Sequence, residues 1–317
     1  MERNVILVYL ESHEKQITRA SLEAIAAAHQ LAAVTGGRIV AALIGDISNA
    51  ERATEYGVDE VLTIGCNEYQ PEEYAAALVS VFERYGAAYL IIGATQDGKD
   101  LAGRVAARIG AGYIADAKAV TDGGSFVRAI YGGSIMETVS VAAPAVISVR
   151  AGSFGVPAHE TAHCTPVAVE GIEPSQLRLR IGEVVNELAD DIDLDDAEVI
   201  VSGGRGMGSE QNFKMLYELA DVLDGAVGAS RPAIEEGWIS RGHQIGQSGK
   251  IVSPKLYIAC GISGATQHVS GIIDSGFIVA VNKDPDAPIF NVADIGIVGD
   301  VAEVLPAMIA EFKSRKA

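Results

Sequence analysis

At 317 residues, 49% of them hydrophobic, the chain is long enough for two separate α/β cores. Its formal net charge of -18 argues against nucleic-acid binding, which needs clustered Lys and Arg. No apolar run approaches the length of a bilayer span, and Met1-Glu2-Arg3-Asn4 lacks the basic-then-apolar opening of a signal peptide, so the chain reads as soluble and cytoplasmic.

Cys66, Cys164 and Cys260 are odd in number and far apart, with no Cys-x-x-Cys pair. They suit neither a disulfide framework nor a zinc or iron-sulfur site, and each reads as a small buried hydrophobe.

Through residue 115 the pattern alternates. Val5 to Leu10, Ile39 to Ile44, Val61 to Ile64 and Tyr89 to Ile92 are short apolar runs bounded by Gly, Asn or charges. Between them Ile17 to Val34, Ser48 to Tyr56 and Glu72 to Tyr85 carry apolar residues at helical spacing. Repeated strand-helix-strand units predict a parallel sheet with right-handed crossovers. The loop Gly93 to Asp100 precedes a helical pattern over Leu101 to Ile109, and reads as an ordinary exit from a buried strand.

From Tyr113 to Val169 short β-rich segments follow, at Ala117 to Val120, Ser125 to Tyr131, Met136 to Val141 and Ala145 to Val149. With Gly123-Gly124 and Gly132-Gly133 as turns, they predict an antiparallel extension of the first sheet. His159 and His163 have metal-like spacing, but Pro157 and Pro166 speak against a helix there, and both read as exposed loop residues. Seven acidic residues in twelve, between Glu187 and Glu198, read as a self-repelling linker. That places an N-terminal α/β domain at 1–186 and a C-terminal domain at 199–317.

The C-terminal part holds four more strand-like runs, Glu198 to Val201, Ala226 to Ala229, Leu256 to Cys260 and Phe277 to Val281, each followed by small or polar residues. After Ser209 a helix is predicted with Phe213, Leu216, Ala220 and Leu223 on one stripe. A last helix spans Val301 to Phe312, and Lys313 to Lys316 read as a frayed basic tail. In an open parallel sheet the four polar loops would meet at the carboxyl edge of the strands, in a nucleotide-shaped crevice.

Sharper motifs fail. Gly203 to Gly208 fits Gly-x-Gly-x-x-Gly in no register, and Gln247-Ser248-Gly249-Lys250 lacks the first glycine and the final hydroxyl of a P-loop. Ser248 and Ser263 lack the closing glycine of a nucleophile elbow. What remains is binding chemistry. Backbone N–H groups at Ser263-Gly264-Ala265, with Arg205 and Ser230, suit a diphosphate, while Arg231 and His268 suit an aromatic ring bearing carbonyl oxygens.

The runs Ser202 to Gly206, Val227 to Arg231, Gln244 to Lys250, Gly261 to His268 and Asn282 to Phe290 closely resemble the alpha subunit of the electron transfer flavoprotein. Gly93-Ala94-Thr95 and Gly98-Lys99-Asp100 match it more loosely. The resemblance implies FAD in a doubly wound C-terminal domain, and an N-terminal domain in contact with a beta subunit. It assigns Arg205, Ser230, Ser263 and Gln267 to the ribityl-diphosphate region, and Asn282 and Asp300 to the adenosine end. Arg231, Ser248 and a cationic His268 fall around the isoalloxazine. Ser248 stands where the family commonly has Thr. Ile245, Gly246, Gln247, Gly264, Ala265 and Thr266 complete the expected cofactor contacts.

The function implied is electron carriage to or from flavin dehydrogenases such as the acyl-CoA dehydrogenases of fatty acid oxidation, with no substrate bond broken on this chain. An electron-bifurcating version, oxidising NADH with ferredoxin or flavodoxin as a further partner, is the alternative. A nucleotide-dependent dehydrogenase would need a catalytic acid or base, and no convincing pair is found. A regulatory nucleotide-binding module would bind ligand without redox activity.

Overall fold

The computed structural model describes residues 4–13, 16–66, 69–160, 164–169, 177–182 and 194–316. The chain divides into two compact units, residues 1–184 and 185–317. Of the expected linker, residues 187–193 lie outside the described residues, whereas Leu194 and Ala197 are buried in the core of the second unit.

The first unit is built on a nine-stranded sheet. In chain order its strands are Val5–Leu10 (β1), Arg38–Ile44 (β2), Glu60–Ile64 (β3), Ala87–Gly93 (β4), Gly112–Val120 (β5), Phe126–Ile130 (β6), Ile135–Val139 (β7), Ala145–Val149 (β8) and Val167–Ala168 (β9). They are arranged β9-β3-β2-β1-β4-β8-β5-β6-β7, parallel as far as β5 and antiparallel through β6 and β7. The antiparallel extension is therefore present, with one correction. Ala145–Val149 lies inside the parallel part, between β4 and β5, and is buried along its whole length. Burial on both faces is what a continuous apolar run in a parallel sheet requires.

Helix Arg19–Thr35 (α1) covers one face of this sheet, while Pro71–Arg84 (α2) and Gln96–Ile109 (α3) cover the other. The helix expected at Leu101 begins five residues earlier, because Thr95 caps it: its hydroxyl accepts from the Gly98 N–H at 2.9 Å and donates to the Glu11 carboxylate at 2.7 Å. His159 pairs with Glu55 at 3.0 Å and packs on the Tyr56 ring, while His163 lies outside the described residues. Cys260 is buried, whereas Cys66 and Cys164 are only partly so.

The second unit is a five-stranded parallel sheet of Val199–Gly203 (β10), Ala226–Ala229 (β11), Leu256–Cys260 (β12), Ile278–Asn282 (β13) and Ile295–Val298 (β14), in the order β11-β10-β12-β13-β14. Numbered from its own first strand this is 2-1-3-4-5, whose switch point falls between β10 and β12. Helix Glu210–Leu223 (α4) starts at Ser209, whose hydroxyl accepts from the Asn212 N–H, and buries Phe213, Leu216, Leu219 and Ala220. Val301–Lys316 (α5) packs beside it. The expected frayed tail is helical, held by Lys313 to Glu218 and Lys316 to Asp224, each at 2.6 Å. Among the described residues no helix is long and apolar enough to cross a membrane.

Candidate cofactor site at the switch point

The loops after β10 and β12 leave the sheet on either side of the switch point and interlock through glycine. The Gly204 N–H donates to the Cys260 carbonyl and the Gly206 N–H to the Gly261 carbonyl, both at 2.9 Å. A Cβ built on Gly206 would lie 2.6 Å from the Gly261 oxygen, so any side chain would force the loops apart. Gly264 has φ +86, and a Cβ there would meet the Ile289 nitrogen at 2.1 Å. The 263–265 turn is thereby pressed against residues 288–289, tied by the Ile289 N–H donating to the Ser263 carbonyl at 3.0 Å.

These loops, the segment 244–248 and the turn after β13 enclose a cavity of about 610 Å³. That is within the usual size of a cofactor site. Arg205, Ser230 and Arg231 reach it from the ends of β10 and β11, and Ile245, Gly246, Gln247 and Ser248 from the following segment. Ser263, Ala265, Gln267 and His268 come from the end of β12, and Asn282 from β13.

Three expected contacts stand off the wall. Gly264 shapes the turn without lining the cavity, and Thr266 opens the short helix Thr266–Val269. Asp300 follows β14 and caps α5, its carboxylate accepting from the Ala302 N–H at 2.9 Å.

The polar groups are fixed by their neighbours. Gln244, which sequence reasoning missed, donates to the Ser248 hydroxyl at 3.0 Å and is buried. Its i−4 spacing from Ser248 was the available signal, but only the bridge between Ala229 and Gln244 turns both inward. Asn282 donates to the Ile262 carbonyl at 2.9 Å. Asp284, Ala287 and Pro288, which fall in the Asn282 to Phe290 run but are assigned no contact from sequence, also line the cavity.

Arg231 is exposed and paired with Glu235 at 2.8 Å on its own helical turn, whereas Arg205 has no ion pair among the described residues. On a chain of net charge -18, Arg205 is left, among the described residues, as the unpaired cation at this mouth, with Arg231 beside its Glu235 partner and Asp284 on the wall, and it offers a guanidinium to an anionic ligand.

His268 differs from expectation. Its Nδ1–H donates to the Ile245 carbonyl at 3.1 Å, which leaves Nε2 to accept from the Tyr257 hydroxyl at 2.9 Å. Burial pushes the imidazole down to about 4, with the Ile245 carbonyl acting against the shift. The ring is therefore neutral at pH 7 in this structure, not cationic. The reason is desolvation: its contacts supply a carbonyl and a phenol, and no carboxylate that would hold a proton on it.

Glycine turns, convergent hydroxyl and amide donors and two arginines fit a ligand that carries a diphosphate and a polar ring. Residues 193–273 match the family model described as electron transfer flavoprotein FAD-binding domain, and residues 6–174 match the electron transfer flavoprotein domain. The chain belongs to the electron transfer flavoprotein family, as an alpha subunit.

The alpha subunit of Bacillus subtilis is 40% identical over 317 residues, covering 97% of each chain. That of Thermoanaerobacterium thermosaccharolyticum is 38% identical, covering 98% of each. Protein FixB of Clostridium saccharobutylicum is 39% identical, covering 97% of this chain and 96% of its own. In this electron transfer flavoprotein alpha subunit the residues matched by the FAD-binding domain model fall within the second unit, and the switch-point cavity lies largely among them.

Proposed function

We propose that the chain carries single electrons as the alpha subunit of a heterodimeric electron transfer flavoprotein, with its FAD in the switch-point cavity. Bound there, FAD supplies the redox chemistry. The chain's own residues bind and orient it. Arg205, Ser230, Ser263 and Gln267 serve the diphosphate and ribityl groups, and Asn282 the adenosine side. Arg231, Ser248 and His268 serve the ring. Gly264, Thr266 and Asp300 act by shaping the turns behind these contacts. The observation that carries this reading is the convergence of four successive strand ends on one cavity that holds two arginines.

The beta subunit is the expected partner of the first unit. Tyr131, Ile135 and Met136 stand exposed at its antiparallel edge, where Tyr131 is 77% accessible, and apolar exposure of that kind marks an interface. The electron partners are flavin dehydrogenases of the acyl-CoA type, as in fatty acid oxidation, and we place the carrier in the cytoplasm.

Purifying the chain with its beta subunit, counting flavin and assaying reduction by a reduced acyl-CoA dehydrogenase tests this directly. One FAD per heterodimer, reduced by the dehydrogenase, is expected. Two FAD with NADH oxidation and ferredoxin or flavodoxin reduction would move the chain to the bifurcating version. Flavin that no dehydrogenase reduces would leave a binding module.

A further inference from the structure

His268 sits on the cavity wall with both ring nitrogens engaged by the protein, and the partner of Nε2 is a side chain buried in the core. Tyr257 lies on β12, on the face that packs against Ile200 and Ile245, and is 0% exposed. Beside its hydroxyl, on β10, is Ser202, also 0% exposed. Among the described residues the Ser202 Oγ has no hydrogen-bond partner. A wholly buried hydroxyl without a partner is costly and calls for a reason.

We propose that Tyr257 is a positioning residue for His268, its hydroxyl turning between the imidazole Nε2 and the Ser202 Oγ so that His268 can take up one proton when the cofactor takes up negative charge. The inference rests on the reading of the cavity as the FAD site.

In the resting arrangement Tyr257 donates to Nε2 and Ser202 is idle. When one electron enters from a reductant, a reduced dehydrogenase flavin or dithionite in a titration, one proton enters from solvent and binds Nε2. Nε2–H then donates to the Tyr257 oxygen, and the Tyr257 O–H turns to donate to Ser202. Ser202, without a partner in the resting arrangement, gains one in the charged state, which also gains the stronger, charge-assisted bonds.

The charged groups sharing the cavity are Arg205, Arg231 and Asp284. Cys260, on the strand of Tyr257, has its thiol pushed up to about 12 by burial and stays neutral. Arg205 and Arg231 oppose a cation at His268, so it charges only when negative charge arrives beside it.

Selective ¹⁵N-histidine labelling of the full heterodimer tests the pairing. The wild-type protein should show His268 as the Nδ1–H tautomer, with the Nε2 signal displaced in Tyr257→Phe and unmoved in Ser202→Ala. The midpoint potential measured against pH tests the relay. It should fall with rising pH up to a break at the pKa of His268 in the reduced protein. Both Tyr257→Phe and Ser202→Ala should move that break down by about one unit or more, since the charged state loses an acceptor or strands a donor.

An Nε2–H tautomer in the wild type, or a break that stays put in both variants, overturns the proposal. A complex isolated without flavin overturns the reading of the cavity and the redox role of the relay together, while the tautomer result still decides whether Tyr257 positions His268.

Discussion

Substituting Gly264 by alanine isolates the part of the cavity that depends on close backbone approach. The residue sits at φ +86, where an L side chain costs about 1–2 kcal/mol, and the new methyl would fall 2.1 Å from the Ile289 nitrogen, a backbone atom that cannot swing aside. Relieving such a clash by backbone movement costs about 1–3 kcal/mol more, so the second unit should lose roughly 3 kcal/mol and ~10 °C of melting temperature.

Gly237→Ala is the matched control. Its φ is +75 but nothing lies within 4 Å of the added methyl, so it carries only the conformational cost. The movement in Gly264→Ala separates Ser263 from Pro288, both on the cavity wall, and FAD affinity should fall with stability. Thermal melts and flavin titration of the two variants in the heterodimer give the answer. If Gly264→Ala melts and binds as Gly237→Ala does, the close packing of the 263–265 turn against residues 288–289 is wrong.

Arg231→Ala should leave the unfolding free energy within about 1 kcal/mol of wild type, because its pair with Glu235 is exposed, yet lower the midpoint potential of the bound flavin by removing a cation from the mouth. In the flavin-free protein His268 has a folded pKa of about 4 against an ordinary 6.5, so the fold binds fewer protons than the unfolded chain below that value. The stability this represents, about 3 kcal/mol, is present above pH 6.5 and lost as pH falls toward 4. His268→Gln should accordingly show a smaller drop in stability between pH 7 and 4.5, measured by denaturant unfolding. Met136→Lys, on the exposed antiparallel edge, should weaken binding of the beta subunit about tenfold or more while leaving the fold of the first unit intact, as read by ultracentrifugation and circular dichroism.

The elements most legible in the sequence were those whose pattern is local. Continuous apolar runs marked β1 and β12, and a 3.6-residue stripe after Ser209 marked α4. Recurrent polar loops marked the cavity, because in a parallel sheet all strand ends of one sense share an edge.

What escaped was set by distant neighbours. Ile295–Val298 is a mostly exposed edge strand containing a glycine, so it has no apolar run to betray it. Ala145–Val149 has the composition of its true position, but only long-range pairing with β4 and β5 reveals that it is central and parallel. The last helix outruns its apolar stripe because Lys313 and Lys316 find carboxylates on and just after α4. The neutral state of His268 follows from burial against a tyrosine eleven residues away, and no local pattern carries that.

The central assignment, FAD in the switch-point cavity, is tested most directly by Ala265→Trp. Ala265 lines the cavity at an exposed position, so the indole fills the space without invading a core. The purified heterodimer should keep its circular dichroism and lose most of its flavin absorbance and FAD content. A variant that stays as yellow as the wild type, with the same FAD per heterodimer, would place the cofactor elsewhere.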